Sequence, residues 1–285
     1  MTTAREVMRN ADGMPTLSSV VAEMSKLISD DSTSIQDFER IIKPDPALTV
    51  NLLRLANSAY FGMRRQISSV RQAVALLGIE RVFELATSAS FTRILPLNIP
   101  GYEIAADTYF FHCLAVGAMA EQLAKLTKIS TGELIFTAGL LHDIGKLAIG
   151  TFLIKDADAV RNALFGREVR FVDVEKEIVG TTHVEVGALM VEEWHLPSEL
   201  TGPVRWHHAP GDAPDDVDRT VVDLIHVADG LAHMMGFGAD VGELKRTIDE
   251  SAVGRLNVKV HDLESAAMQT MDSIREMSRI LGGHS

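Results

Sequence analysis

Cysteine is almost missing from this chain. The single Cys113 among 285 residues cannot form an intramolecular disulfide and fits a reducing compartment. Long apolar runs are missing too. Nothing approaches the ~18 or more uninterrupted apolar residues of a transmembrane helix, and the opening MTTAREVMRNADGMP lacks the apolar h-region of a secretory signal. The expected location is therefore the cytoplasm, with no membrane partner. Positive charge is also in short supply. A net charge of −12 and a pI near 5.3 argue against a large phosphate-binding face, and so against nucleic-acid binding as the main task. Strict two-residue alternation, internal repeats, low-complexity tracts and long linkers are all absent, so a sheet-based fold is not expected.

What is present is a hydrophobic fraction of 46%, enough for one large domain or two closely packed halves, together with ten histidines. The patterning is helical from Thr16 onward. Leu17, Val20, Val21, Met24 and Leu27 recur at helical spacing, and SDDSTS is a polar break. A second helix is expected from Ser34 to before Pro44. Asp45 suits an N-cap and Pro46 the first helical position, where its missing N–H costs nothing. Ser69 caps SVRQAVALLG, Gly78 breaks it, and IERVFELATSASFTRIL resumes. A second block starts near Pro100. It contains ADTYFFHCLAVGAMAEQLAKL, then TGELIFTAGLLHDIGKLAIGTFL as one helix, a charged helix around VDVEKEIVG, THVEVGALMVEEWH, ELTGPVRWHH and VVDLIHVADGLAHMM. Two amphipathic helices follow, with Gly282-Gly283 ending the last. The expected fold is all-α: an N-terminal helical bundle (residues 1–100) packed on a helical core (residues 101–240), with C-terminal amphipathic helices (residues 241–285).

The histidines carry the chemistry. Candidate metal ligands occur in the order His112, His142, Asp143, His183, His207, His208, Asp229, spread over five segments and mostly on inward-facing stripes. His112 shares a stripe with Val116, Met119, Ala120 and Leu123; His142 shares one with Leu134, Ile135, Ala138 and Leu141. THVE reads as a capping box that places His183 in the first turn of its helix. Imidazoles and carboxylates buried without partners are costly, so several converging on one interior must pair or bind something. Neighbouring helical side chains diverge by ~100°, so His142-Asp143 and His207-His208 can each straddle two ions rather than chelate one. An aspartate at the junction can bridge ions ~3.5–4 Å apart. Mixed imidazole and carboxylate donors suit iron, manganese, zinc or nickel.

GLLHDIGKLAI (Gly139 to Ile149) resembles the motif of the HD phosphohydrolase superfamily. PDPALTVNLLRLANSAYFG through SVRQAVALLGIERV resembles the N-terminal half of HDOD domains, a divergent HD branch of bacterial signal transduction. The similarity spans roughly Met14 to Gly236. It implies an HD-type helical core and a binuclear centre of divalent transition metals, iron or manganese favoured. In that pattern His112 matches the histidine preceding the HD pair, His142 and Asp143 match the pair itself, and Asp143 is the bridging ligand. His183, His207 and His208 match the ligands of the second ion, and Asp229 closes the first. Lys146 matches a lysine that meets substrate phosphate, which makes Asp143 and Lys146 the expected catalytic residues. Two departures are visible. Cyclic-di-GMP phosphodiesterases of the HD-GYP type follow their histidine pair with a glutamate and DGxGYP, whereas this chain reads HHAPGDAPDD. The acidic residue that a third metal would need one turn before the first histidine is Thr108.

Several residues have plainer readings. His226 and His233 are either donors that orient a ligand or polar core residues. His195, His261 and His284 are expected at the surface, and Cys113 in the core. Lys146 could snorkel at a helix surface. QAVALLGIERVFELA mimics a helix-turn-helix, but both helices are apolar and Arg81 is the only basic group in the second. Arg64 and Arg65 make a basic spot, not a patch, and GFGADVG follows a helix and not a strand, unlike a phosphate loop. Two classes of function follow. One is metal-dependent hydrolysis of a nucleotide-type phosphoester. The other is a regulatory module with a structural or vestigial metal site, acting through a protein partner in trans.

Overall fold

The structure, a computed structural model, describes residues 2–11, 16–28, 30, 32–63, 65–99, 101–164, 169–238 and 247–281. Arg64, Pro100, Gly282-Gly283, His284 and most of GFGADVG lie outside the described residues. The first block contains α1 (Ala4–Asn10), α2 (Ser19–Ile28), α3 (Ile35–Ile42), α4 (Pro46–Ala56), a 3₁₀ turn at Ala59–Phe61, α5 (Val70–Leu77) and α6 (Ile79–Ile94). The expected punctuation operates. The Asp45 and Ser69 side chains accept from the Leu48 and Gln72 N–H groups, and Gly78 takes φ +91° between α5 and α6. Helix α6 is buried from Val82 to Phe91, so the helix-turn-helix mimic offers no free reading helix.

A two-residue antiparallel hairpin, β1 (Asn98–Ile99) with β2 (Ile104–Ala105), joins the halves and is the only sheet among the described residues. The second half is organised around α7 (Ala106–Thr127), whose buried residues lie on every face between Tyr109 and Ala124. A helix apolar all round belongs at the centre of a domain. Around it run α8 (Ile135–Leu141), α9 (Lys146–Leu153), α10 (Ala157–Leu164), α11 (Phe171–Ile178), α12 (His183–Glu193), α13 (Thr201–Trp206) and α14 (Arg219–Met234). The C-terminal pair, α15 (Glu250–Leu256) and α16 (Val260–Ile280), is not an appendage: α15 packs on α14 and α16 runs along α7. The opening segment forms α1. It has a complete capping box between Thr3 and Glu6, and it docks on α12 of the other half.

The stretch 131–153 departs from the single helix expected. It breaks into α8 and α9 at a turn over His142–Gly145, and the reason is a close crossing. A Cβ on Gly145 would lie 1.9 Å from the His183 carbonyl oxygen and 2.7 Å from Gly187 N, so the turn is pressed against α12. The run Ile135–Leu164 has the length and mean hydropathy of a membrane-crossing helix, yet 83% of its apolar window is buried inside the protein.

Candidate metal centre

Five segments bring the candidate ligands to one buried point. His112 projects from α7, His142 and Asp143 from the turn after α8, and His183 from the first turn of α12. His207 and His208 follow α13, and Asp229 lies on α14. Both adjacent pairs therefore sit in turns just past a helix, not within one. Thr182 caps α12 by accepting from the Glu185 N–H, but Glu185 turns its carboxylate to Thr181 and Lys176, so only half of the expected capping box forms. His112, His142, Asp143, His183, His207 and Asp229 are all buried; His208 alone of the seven is partly exposed.

The tautomers are fixed from outside the cluster. A carbonyl oxygen can only accept, so a ring nitrogen facing one must carry the proton. The Nδ1–H of His112 donates to the Phe237 carbonyl at 2.8 Å, that of His142 to Gly139 at 2.7 Å, and that of His207 to Val204 at 3.0 Å. His183 donates through Nδ1 to the Glu175 carboxylate at 2.7 Å. In its neutral form each of these rings turns its Nε2 lone pair inward. The Nε2 atoms of His112 and His142 are 3.3 Å apart, and those of His183 and His208 are 3.0 Å apart. Two lone pairs facing at that distance repel unless a proton or a metal cation lies between them.

Asp143 divides the cluster in two. Its Oδ1 faces His183 Nε2 at 3.2 Å and His207 Nε2 at 3.5 Å; its Oδ2 faces His142 Nε2 at 3.4 Å and His112 Nε2 at 3.9 Å. Asp229 Oδ1 lies 3.3 Å from His112 Nε2 and 3.8 Å from His142 Nε2. Two metal-capable groups result: Asp143, His183, His207 and His208 in one, and His112, His142 and Asp229 in the other. Both Asp143 oxygens and His207 Nε2 are buried without a hydrogen-bond partner, although Lys146 Nζ forms an ion contact with Asp143 Oδ2 at 2.7 Å. Buried polar atoms left in this way fit a site built to hold an ion or a water. The donor set, imidazole Nε2 and carboxylate, fits a divalent transition metal.

Electrostatics in the cradle follow from this geometry. Burial alone would raise the Asp143 pKa, but His142 and Lys146 overcome it and hold the carboxyl well below its usual range. Burial likewise disfavours imidazolium at His183, yet the flanking carboxylates of Glu175 and Asp143 raise it to about 9. His207 has no such anchor; burial pushes it down to about 4, with Asp143 opposing. Lys146 is only 3% exposed, so it does not snorkel to the surface.

The other histidines sort cleanly. His226 donates through Nδ1 to the His207 carbonyl at 2.7 Å and accepts the Asp249 N–H at 2.8 Å, which fixes the turn that carries the histidine pair. His233 reaches the cluster itself, 3.5 Å from Asp229 Oδ1 and tilted against His112 at 4.5 Å between ring centroids. His195 and His261 are exposed, and Cys113 is buried in the core. Sequence reasoning missed Tyr102 and Glu175. The Tyr102 hydroxyl donates to Glu175 Oε1 at 2.6 Å, and Glu175 Oε2 also accepts the His183 backbone N–H at 2.7 Å. An acid on a charged helix gives no signal of this. Only an inward position at Glu175, on the stripe with Phe171, Val172 and Val174, would have hinted at it.

An all-helical protein with a buried His/Asp cradle split by one carboxylate is the class this fold and site define. Residues 14–210 match the family model of the HDOD domain, and the chain belongs to that family. It is 28% identical over 224 residues to an uncharacterized protein of Treponema pallidum (strain Nichols), covering 75% of this chain but only 41% of that protein. The fold matches an HDOD domain protein of unknown function from Geobacter sulfurreducens with a TM-score of 0.75 and 23% identity, covering 98% of this chain and 95% of the other. It also matches a protein of Shewanella amazonensis SB2B provisionally named a phosphohydrolase, with a TM-score of 0.76 and 21% identity over 99% of both chains.

Proposed function

We propose that this chain is a signal-transduction HDOD protein that holds two divalent transition metal ions, iron or manganese favoured, and hydrolyses a nucleotide-type phosphoester. The observation that carries the reading is Asp143, whose two oxygens face two separate sets of Nε2 lone pairs, each ring locked in the metal-binding tautomer from behind. His112, His142 and Asp229 would hold one ion, and His183, His207 and His208 the other, with Asp143 shared. Such a pair of ions supplies Lewis acidity toward a phosphoryl oxygen and toward water. The chain's own residues do the rest. Asp143 spaces the two halves of the cradle, and Lys146, in ion contact with Asp143, would move to a phosphoryl oxygen and neutralise its charge. His208 is the partly exposed ligand, just before the Pro210–Asp218 loop, which makes that side the proposed route of entry. A net charge of −12 argues against a strongly acidic partner.

A second reading, a regulatory module that works through a protein partner in trans, is favoured by one observation. Six of the seven candidate ligands are buried, and Lys146 already supplies positive charge to Asp143. In that case the centre is structural. Elemental analysis of freshly purified protein, run with turnover of a generic phosphodiester and cyclic dinucleotides, separates the two. About two equivalents of transition metal, with turnover lost in His142→Ala and Asp143→Ala, is the expected result. Metal without turnover of any nucleotide phosphoester gives the regulatory reading. A chain that stays folded and takes up no metal on reconstitution with iron or manganese overturns the binuclear centre.

A further inference from the structure

The two halves of the cradle are supported differently from behind. Rings on the first side, His112 and His142, donate to neutral backbone carbonyls, and so does His207 on the second. Among these four rings, whose Nδ1 partners lie in the described residues, His183 is the one that donates to a carboxylate. The first group also contains a carboxylate of its own in Asp229, whereas the second holds three imidazoles and only the shared Asp143. One negative charge is thus missing from the second group, and Glu175 stands directly behind it.

We infer that Glu175, held by Tyr102, is a positioning residue that sets the affinity of the second ion site. This rests on the binuclear reading above. Glu175 is fully buried and accepts three hydrogen bonds: from the Tyr102 hydroxyl at 2.6 Å, from His183 Nδ1 at 2.7 Å and from the His183 backbone N–H at 2.7 Å. The two bonds to His183 fix both the ring and the first turn of α12, so Nε2 cannot rotate away from Asp143. A carboxylate on Nδ1 also makes the opposite nitrogen a stronger donor than a carbonyl would. Its charge reaches the second ion through the imidazole and balances what Asp229 gives the first directly.

Tyr102 ties this device to the joint between the halves. It lies between the paired strands Asn98–Ile99 and Ile104–Ala105, and Lys146 Nζ sits 5.5 Å from its ring centroid. The ring also packs at 4.9 Å from Phe171 at the start of α11, the helix that carries Glu175. A shift of the hairpin therefore moves the phenol, then Glu175, then His183, and the second ion responds while the first does not.

The test is a titration of the metal-stripped full chain with cobalt(II), read by visible absorption and by the equivalents retained after dialysis. Wild type should show two binding events. Glu175→Gln should weaken the second by ~10–100-fold and leave the first unchanged, and Tyr102→Phe should weaken the same event by a smaller factor. Glu185→Gln, a charge change on α12 outside the cradle, should alter neither. Circular dichroism checks that each variant is folded; if Glu175→Gln is not, Tyr102→Phe decides alone. Two events of wild-type affinity in the folded variants overturn the positioning role, as does an equal weakening of both. A wild-type chain that binds no cobalt overturns the binuclear reading itself, which is a separate outcome.

Discussion

Gly145→Ala isolates the contact that puts His183 beside Asp143. Gly145 is in the αR region at φ −64°, ψ −20°, so alanine fits the backbone and even gains up to ~1 kcal/mol of chain entropy. The steric effect runs the other way. The new Cβ would lie 1.9 Å from the His183 carbonyl, where real Cβ contacts under 3.0 Å are essentially never found, so the turn and α12 must part by about 1 Å. Backbone cannot swing aside as a side chain can, which places the cost near the upper end of overpacking, ~3 kcal/mol. The net loss is about 2 kcal/mol, or roughly 3–4 °C in Tm for a chain of 285 residues. The effect on the site is larger. Metal–ligand distances tolerate only ~0.2 Å, so an opening of about 1 Å between His183 and Asp143 should release the second ion. Calorimetry and metal analysis of the purified variant check both. A variant with wild-type Tm and full metal content would refute the idea that this crossing sets the cradle.

Asp143→Asn removes the divided carboxylate while keeping its shape and should cost both ions, measured as fewer than one equivalent retained by elemental analysis. His226→Leu should destabilise the chain by about 1–3 kcal/mol in chemical denaturation, because the His207 carbonyl and the Asp249 N–H both lose their buried partner. Glu84 lies in a separate network with Arg81, Glu121 and Tyr60, and burial raises its pKa to about 8 although Arg81 opposes the shift. A carboxyl raised in the folded state holds its proton where the unfolded chain has lost it. Its contribution is therefore complete below the unfolded value near 4.5 and is lost as pH rises through about 8. Glu84→Gln should accordingly flatten the decline of Tm between pH 5 and 8.5, and an unchanged profile would count against a protonated Glu84.

Local chemistry alone fixes much of this molecule. Helix starts at Asp45, Ser69 and Thr182, the break at Gly78 and the polar loop after His208 are short-range events decided by side chains within four residues of the backbone they cap. All-helical class and HDOD membership were equally legible, because helical periodicity and the HDIGK segment are written in consecutive residues. The histidines could be suspected together because each shares a stripe with apolar neighbours, which predicts that it points inward.

Other features depend on residues distant in sequence meeting in space. The break between α8 and α9 is set by the His183 carbonyl, which lies 38 residues from Gly145 and can be felt only once α12 has docked. Neither periodicity nor a cap in residues 131–153 foreshadows it. The same is true of Glu175 and Tyr102: the first reads as part of a charged helix and the second carries no local signal, until the fold brings two residues 73 positions apart onto one hydrogen bond. His226 and His233, equivalent in sequence as neighbours of Asp229, part company for a similar reason. Backbone groups of His207 and Asp249 surround the first, and the cradle receives the second. Sequence determines which groups are available and which way a helix turns them. Packing determines which of them share a point, because the distances that bind a cation are set by helix crossings a few tenths of an ångström in tolerance.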